Sequence, residues 1–181
     1  MTDLRELYIS VDIEADGPIP GDYSMVSLGA VVVGSDEEGF YGEMRPLYGA
    51  SWVPEALAVS GFSHDQVMNF AQPHIVMENF AAWLDRLQAQ SSTRLVMVGF
   101  NAPFDWMFVH WYMMHFVGRN PLGISSLDIK AFYMGRTGCT WAETSMARLP
   151  DWLTPEKGLS HNAIEDARDQ AKIFQGVLTL P

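Results

Sequence analysis

Four acidic residues and one histidine stand out by type and spacing. Asp12 and Glu14 sit two apart at the end of Leu7–Ile13, where Leu7, Ile9, Val11 and Ile13 alternate with Tyr8, Ser10 and Asp12. That period is a strand with one face in the core. Side chains two apart on a strand share a face, so both carboxylates project together, opposite the apolar face. Adjacent anions raise each other's proton affinity unless a cation lies between them. An oxygen-rich pair at a strand end therefore suits Mg²⁺ or Mn²⁺. The plainer alternative is an acidic strand end running into solvent.

Asp105 follows an apolar strand in Asn101-Ala102-Pro103-Phe104-Asp105. Asn101 or Ala102 would cap a helix, and Pro103 stands where a missing N–H costs little. Asp105 then lies in the first turn, where the helix dipole favours a carboxylate. The apolar Trp106, Met107 and Phe108 beside it leave a charge in need of a partner. A third cluster is His161-Asn162-Ala163-Ile164-Glu165-Asp166. Asn162 with Glu165 three positions on reads as a capping box, which assigns Glu165 a structural role. His161 is then on a loop just outside the helix, suited to take a proton from water, or simply exposed. Asp166 falls on the second turn.

The elements that position these residues follow from periodicity. Val26–Val33 is a second strand, apolar on both faces, and Glu38-Gly39 marks a tight turn before a third, Phe40–Arg45. Pro73 opens a helix whose stripe is Val76, Phe80, Trp83, Leu84 and Leu87. Leu95–Phe100 is a strand, Ala102–Val117 a helix, and Leu127–Tyr133 is open between a strand end and a helix start. Gly135–Gly158 shows no periodicity and reads as a mobile loop. The last helix, Ala163–Leu178, carries Ala163, Ala167, Ala171, Phe174 and Leu178 inward, its small residues letting it lie close to a sheet. This order predicts an α/β fold of the ribonuclease-H-like kind: a mixed sheet, three antiparallel strands then parallel ones, flanked by helices.

Composition bounds the function. The 181 residues fit one domain, and 48% apolar content supplies a core. The single cysteine, Cys139, excludes an internal disulfide and fits the cytoplasm. Phe100–Val117, interrupted by Asp105, His110 and His115, reads as a buried helix and not a membrane span. A net charge of −11 argues against a non-specific binder of long nucleic acids, which needs a basic stripe. It is compatible with a nuclease whose positive charge arrives as bound metal, acting on short or single-stranded ends.

Taken together and in order, the three clusters resemble the motifs of the DEDDh 3′–5′ exonuclease family: Asp-x-Glu, Asn-x-x-x-Asp and His-x-Ala-x-x-Asp. They match Asp12 and Glu14, Asn101 and Asp105, and His161, Ala163 and Asp166. The resemblance spans nearly the whole chain, as one exonuclease domain over residues 1–181. It implies that Asp12, Glu14, Asp105 and Asp166 hold two Mg²⁺ or Mn²⁺ ions and that His161 is the general base. Nucleoside 5′-monophosphates would then be released from the 3′ ends of single-stranded DNA or RNA. Several members of that family work as homodimers, an assembly the resemblance leaves open here. Departures concern the nucleotide site. Ala15 stands where the family often has Thr or Ser, and Ala58–Ser63 resembles a family loop with Ser60 in place of His and Phe62 in place of Ile. Phe62 would stack on a base or sit in the core; Asn101 and Ala15 are the other candidate substrate contacts. Asp128 reads as a helix cap. Two other functions fit the same residues: a phosphodiesterase of dinucleotides or small nucleotides, and a catalytically degenerate nucleic-acid-binding domain.

Overall fold

A computed structural model of the chain describes residues 5–35, 39–91, 93–154 and 160–180. Five strands form one sheet in the order β3-β2-β1-β4-β5. β1 (Glu6–Ala15) pairs antiparallel with β2 (Met25–Val32), which pairs antiparallel with β3 (Gly39–Glu43). On its other side β1 runs parallel to β4 (Arg94–Gly99), and β4 parallel to β5 (Ser126–Asp128). This is the mixed α/β sheet that the sequence predicts. Glu38, in the predicted turn before β3, lies outside the described residues.

The alternation in β1 sorts its side chains between two helical layers. Ile9, Val11 and Ile13 enter a core with Phe80 and Leu84 of α3 (Pro73–Ser91) and Phe108 and Tyr112 of α4 (Ala102–Tyr112). The whole predicted stripe of α3 is buried. The opposite face of β1 is covered too, a correction to the one-sided strand expected. Tyr8 meets Phe174 of α6 (Ala163–Leu178) edge-on at 5.0 Å, and Ser10 is fully buried. Covering by α6 on this side also explains why β2 is apolar on both faces.

Close approach of α6 to the sheet depends on a glycine. Gly29 on β2, in register with Asp12 of β1, lies so near α6 that a Cβ there would fall 2.3 Å from the Ala163 carbonyl. Ala163, Ala167 and Ala171 are buried as the small-residue stripe predicts. Leu178 is not: it is exposed, and Val177 takes the last inward position. The helix begins on Asn162, whose side chain accepts from the Glu165 N–H at 3.4 Å. The capping box is incomplete, because the Glu165 carboxylate turns outward to Arg168.

Two further expectations change. The helix predicted over Ala102–Val117 is α-helical to Tyr112 and then widens into a π-turn, Met113–Val117, where Gly118 N–H reaches Met113 C=O at 3.0 Å. The ambiguous Leu127–Tyr133 is both strand and helix: β5 ends at Asp128, which caps α5 (Ile129–Thr137). Gly135–Gly158 is not a free loop through its described part. α5 runs on to Thr137, short 3₁₀ turns follow at Trp141–Thr144 and Met146–Arg148, and Leu149 and Leu153 are buried against Ile129 and Phe174. Two remaining short helices are α1 (Pro54–Val59) and α2 (His64–Val67).

Candidate active site

The site forms at the carboxyl ends of β1 and β4. There the chain order reverses between an antiparallel and a parallel neighbour, and α/β sheets open a crevice at such points. β1 delivers Asp12 and Glu14 to its α6 face. β4 delivers α4, whose first turn carries Asp105, and α6 brings Asp166 in from above the sheet.

Each carboxylate is held by a specific contact. Asp105 is buried, and its Oδ1 accepts the Ile13 N–H at 3.0 Å, so the start of α4 is tied to the strand that bears Asp12 and Glu14. Asp166 accepts three bonds: Ser160 N–H at 2.7 Å and Ser160 Oγ at 2.9 Å on Oδ1, and His161 N–H at 2.9 Å on Oδ2. Those bonds hold His161 at φ 56°, left-handed backbone that a histidine rarely adopts. Asn101, which caps α4 and is exposed, is the other non-glycine residue at positive φ among those described, at 68°. Backbone of this kind persists where its surroundings over-determine it, and it gathers at functional sites.

Electrostatics show what the cluster lacks. Burial pushes the Asp12 carboxyl well above its usual range, and the neighbouring Asp105, Glu14 and Asp166 push it further. Glu14 is pushed up to about 8, by burial first and then by Asp166 and Asp105. Asp105 is raised mainly by burial, against the pull of the Ile13 N–H. Asp12 and Glu14, crowded by neighbouring carboxylates, require protons or cations, and hard divalent ions are the match for an all-oxygen set. Atoms of Glu14, Asp166 and His161 able to ligate a metal lie within 4.8 Å of one another. His161 is exposed, at the mouth of the cluster.

Sequence reasoning missed Gln170. It is buried on the inner face of α6, one turn after Asp166, donating from Nε2 to Asp12 Oδ1 at 2.5 Å and accepting the Phe100 N–H at 2.7 Å. Its signal was a glutamine inside an apolar stripe. Asp128 has a double role: it caps α5 through Ala131 N–H at 2.7 Å and also accepts the Ala102 N–H at 2.8 Å, at the start of α4.

Beside Glu14 opens a cleft of about 360 Å³. Ala15, Pro18, Val59 and Phe104 are among its walls. Phe62 does not line it. That ring packs edge-on against Phe70 at 5.1 Å, in a satellite cluster with Val26, Leu57 and Val67.

No protein-family model matches the chain. It is 37% identical over 172 residues to the 3′–5′ DNA exonuclease Cap18 of Escherichia coli, across 94% of this chain and 91% of that protein. The chain belongs to the DEDDh family of 3′–5′ exonucleases. It is accordingly a hydrolase, a nuclease acting from 3′ ends. Solved structures show the same fold at low identity. The nuclease domain of 3′hExo, a DEDDh family member bound to rAMP, aligns with a TM-score of 0.72 at 13% identity, over 97% of this exonuclease and 90% of that chain. A full-length 3′-exonuclease aligns with a TM-score of 0.77 at 14% identity over 98% of this chain, which spans 61% of that structure. Among the described residues, no helix of the exonuclease is long and apolar enough to cross a membrane.

Proposed function

We propose that this exonuclease requires divalent metal, holds it on Asp12, Glu14, Asp105 and Asp166, and removes nucleoside 5′-monophosphates from the 3′ ends of single strands. The observation that carries the proposal is the convergence of four mutually repelling carboxylates beside an apolar cleft, with His161 at the mouth. Two Mg²⁺ or Mn²⁺ ions, when bound, would supply Lewis acidity at the scissile phosphate and neutralise its charge.

The chain's own residues supply the rest. Asp105 ties α4 to β1 and Gln170 ties α6 to it, so the carboxylates are placed before substrate arrives. The imidazole of His161, presented by a strained backbone and not packed in the core, is free to take the proton of the attacking water. The 3′-terminal base would enter the cleft between Phe104 and Val59, with Ala15 leaving room where a larger side chain would intrude. Asn101, at the head of α4, would approach the sugar-phosphate from the opposite side. The satellite-core packing of Phe62 favours a role in supporting α1 over stacking on a base.

DNA is the first substrate to test, because the 37%-identical relative acts on it. Purified protein with Mn²⁺ and 5′-labelled single-stranded DNA and RNA should yield a ladder shortening from the 3′ end, lost in Asp12→Ala. No ladder on either strand would overturn this reading. In the same reading residues 1–181 are one exonuclease domain in the cytoplasm, either single or paired as a homodimer; sedimentation distinguishes the last two.

A further inference from the structure

A second concavity of about 1000 Å³ lies across the loop that follows β1. Neighbouring residues of the same chain segments separate it from the catalytic cleft. Asp16, Gly21, Ser51 and Trp52 face the larger space, while Gly17, Pro18 and Val53 face the smaller one. Its chemistry is unlike that of the rest of the chain. In a protein of net charge −11 with five histidines, this groove gathers Arg45, His64, His74 and His115 against one acidic side chain, Asp16.

Aromatic rings are interleaved with those groups. Trp52 stacks on His64 at 4.5 Å, Trp111 stacks on His115 at 4.5 Å, and Tyr48 is fully exposed. Asp16 adds a specific element. It is 99% buried (1% exposed), its Oδ1 accepts the Ser24 N–H at 2.5 Å, and its buried Oδ2 has no hydrogen-bond partner among the described residues. That oxygen is closed off from the groove, so Asp16 shapes the wall and does not contact a strand lying in it.

We propose that this groove holds bases of the same strand upstream of its last two nucleotides, stacked on Tyr48 and Trp52. Arg45 meets a phosphate, and the imidazole N–H groups of His64, His74 and His115 are further donors along the strand. Exposed rings beside a cation suit a single strand, since stacking tolerates any sequence and a phosphate needs a positive partner. Elsewhere the acidic surface repels a phosphate backbone, so the strand is steered along this face. The groove has nearly three times the volume of the cleft beside Glu14, room for more than the one terminal nucleotide. This inference rests on the exonuclease reading for its direction, but its test does not depend on turnover.

The experiment measures binding of a labelled deoxydecanucleotide in EDTA by fluorescence anisotropy, and separately kcat/KM on the decanucleotide and on a dinucleotide with Mn²⁺. Tyr48→Ala and Trp52→Ala should each weaken decanucleotide binding roughly tenfold, as expected for loss of one base stack. Both should leave dinucleotide hydrolysis unchanged. Tyr48 is fully exposed, so its loss does not disturb folding. Unchanged decanucleotide affinity in both variants overturns the proposal, as does an equal loss of kcat/KM on both lengths. If the wild-type protein cleaves neither substrate the exonuclease reading fails, and the anisotropy still decides the groove.

Discussion

Gln170 offers the sharpest test of how the carboxylates are held. Its amide spans two elements, donating to Asp12 Oδ1 at 2.5 Å and accepting the Phe100 N–H at 2.7 Å. Gln170→Leu keeps the volume and removes both bonds. A hydrogen bond to a charged group contributes about 1.5–3 kcal/mol. At about 1.4 kcal/mol per factor of ten, the loss makes the Asp12 carboxylate roughly 10- to 150-fold weaker as an anion. That bond pulls the Asp12 carboxyl down against burial and against its three acidic neighbours, so removing it shifts proton affinity further up. Half-saturating Mn²⁺ should rise by at least about tenfold, and the acid limb of the pH–rate profile should move to higher pH. Rate at saturating metal and alkaline pH should largely recover. Thermal stability should also fall by about 1–3 kcal/mol, since the Phe100 N–H loses its acceptor. Gln170→Glu separates the two effects. It retains an acceptor for Phe100 but sets a carboxyl against Asp12, so metal affinity should fall further while the contact to β4 persists. If Gln170→Leu lost stability but kept wild-type Mn²⁺ affinity and pH profile, Asp12 would not depend on this amide.

Asp105→Asn preserves an acceptor for the Ile13 N–H, so it should melt near wild type yet lose nearly all turnover; wild-type rate with Mg²⁺ would remove Asp105 from the site. Asp105→Ala should lose turnover and also about 1–3 kcal/mol of stability, because that buried N–H is left unsatisfied. His161→Ala should slow hydrolysis roughly 100- to 10,000-fold with little change in Mn²⁺ affinity by calorimetry; equal loss of both would make His161 a ligand. Without metal, Glu14 is pushed up to about 8, and Asp12 and Asp105 also lie above their usual range. Unfolded carboxyls release their protons near about pH 4. Between there and about pH 8 the native protein binds more protons than the unfolded chain, so stability falls as pH rises. Melts in EDTA should therefore be lower at pH 8 than at pH 5 by a margin that Glu14→Gln narrows, and Mn²⁺ should raise the pH 8 value most. A higher melt at pH 8 in EDTA would contradict the electrostatic account.

What could be read from the sequence divides along a physical line. Asp12 and Glu14 were legible because strand parity is local: two residues apart means one face. Asp105 and Asp166 were legible from the helix starts that carry them. The contacts that fix these groups join residues far apart in the chain, and no local period carries them. Asp105 meets Ile13 across 92 positions, and Gln170 meets Asp12 across 158. The misreadings have local causes. The 3₁₀ turns after α5 have no 3.6-residue rhythm, so the buried Leu149 and Leu153 that follow them looked like loop residues. Phe62, open in sequence between a base contact and a core position, packs in a satellite core, and Val59, a turn earlier on α1, lines the cleft. Gly29 was passed over inside an apolar strand, although the absence of its side chain sets how closely α6, and with it Asp166, can approach Asp12. The four acids were therefore readable as residue types, whereas their spacing is set by a glycine, a glutamine and a left-handed histidine. It follows that a chain could keep all four acids and still lose the site through any of those three.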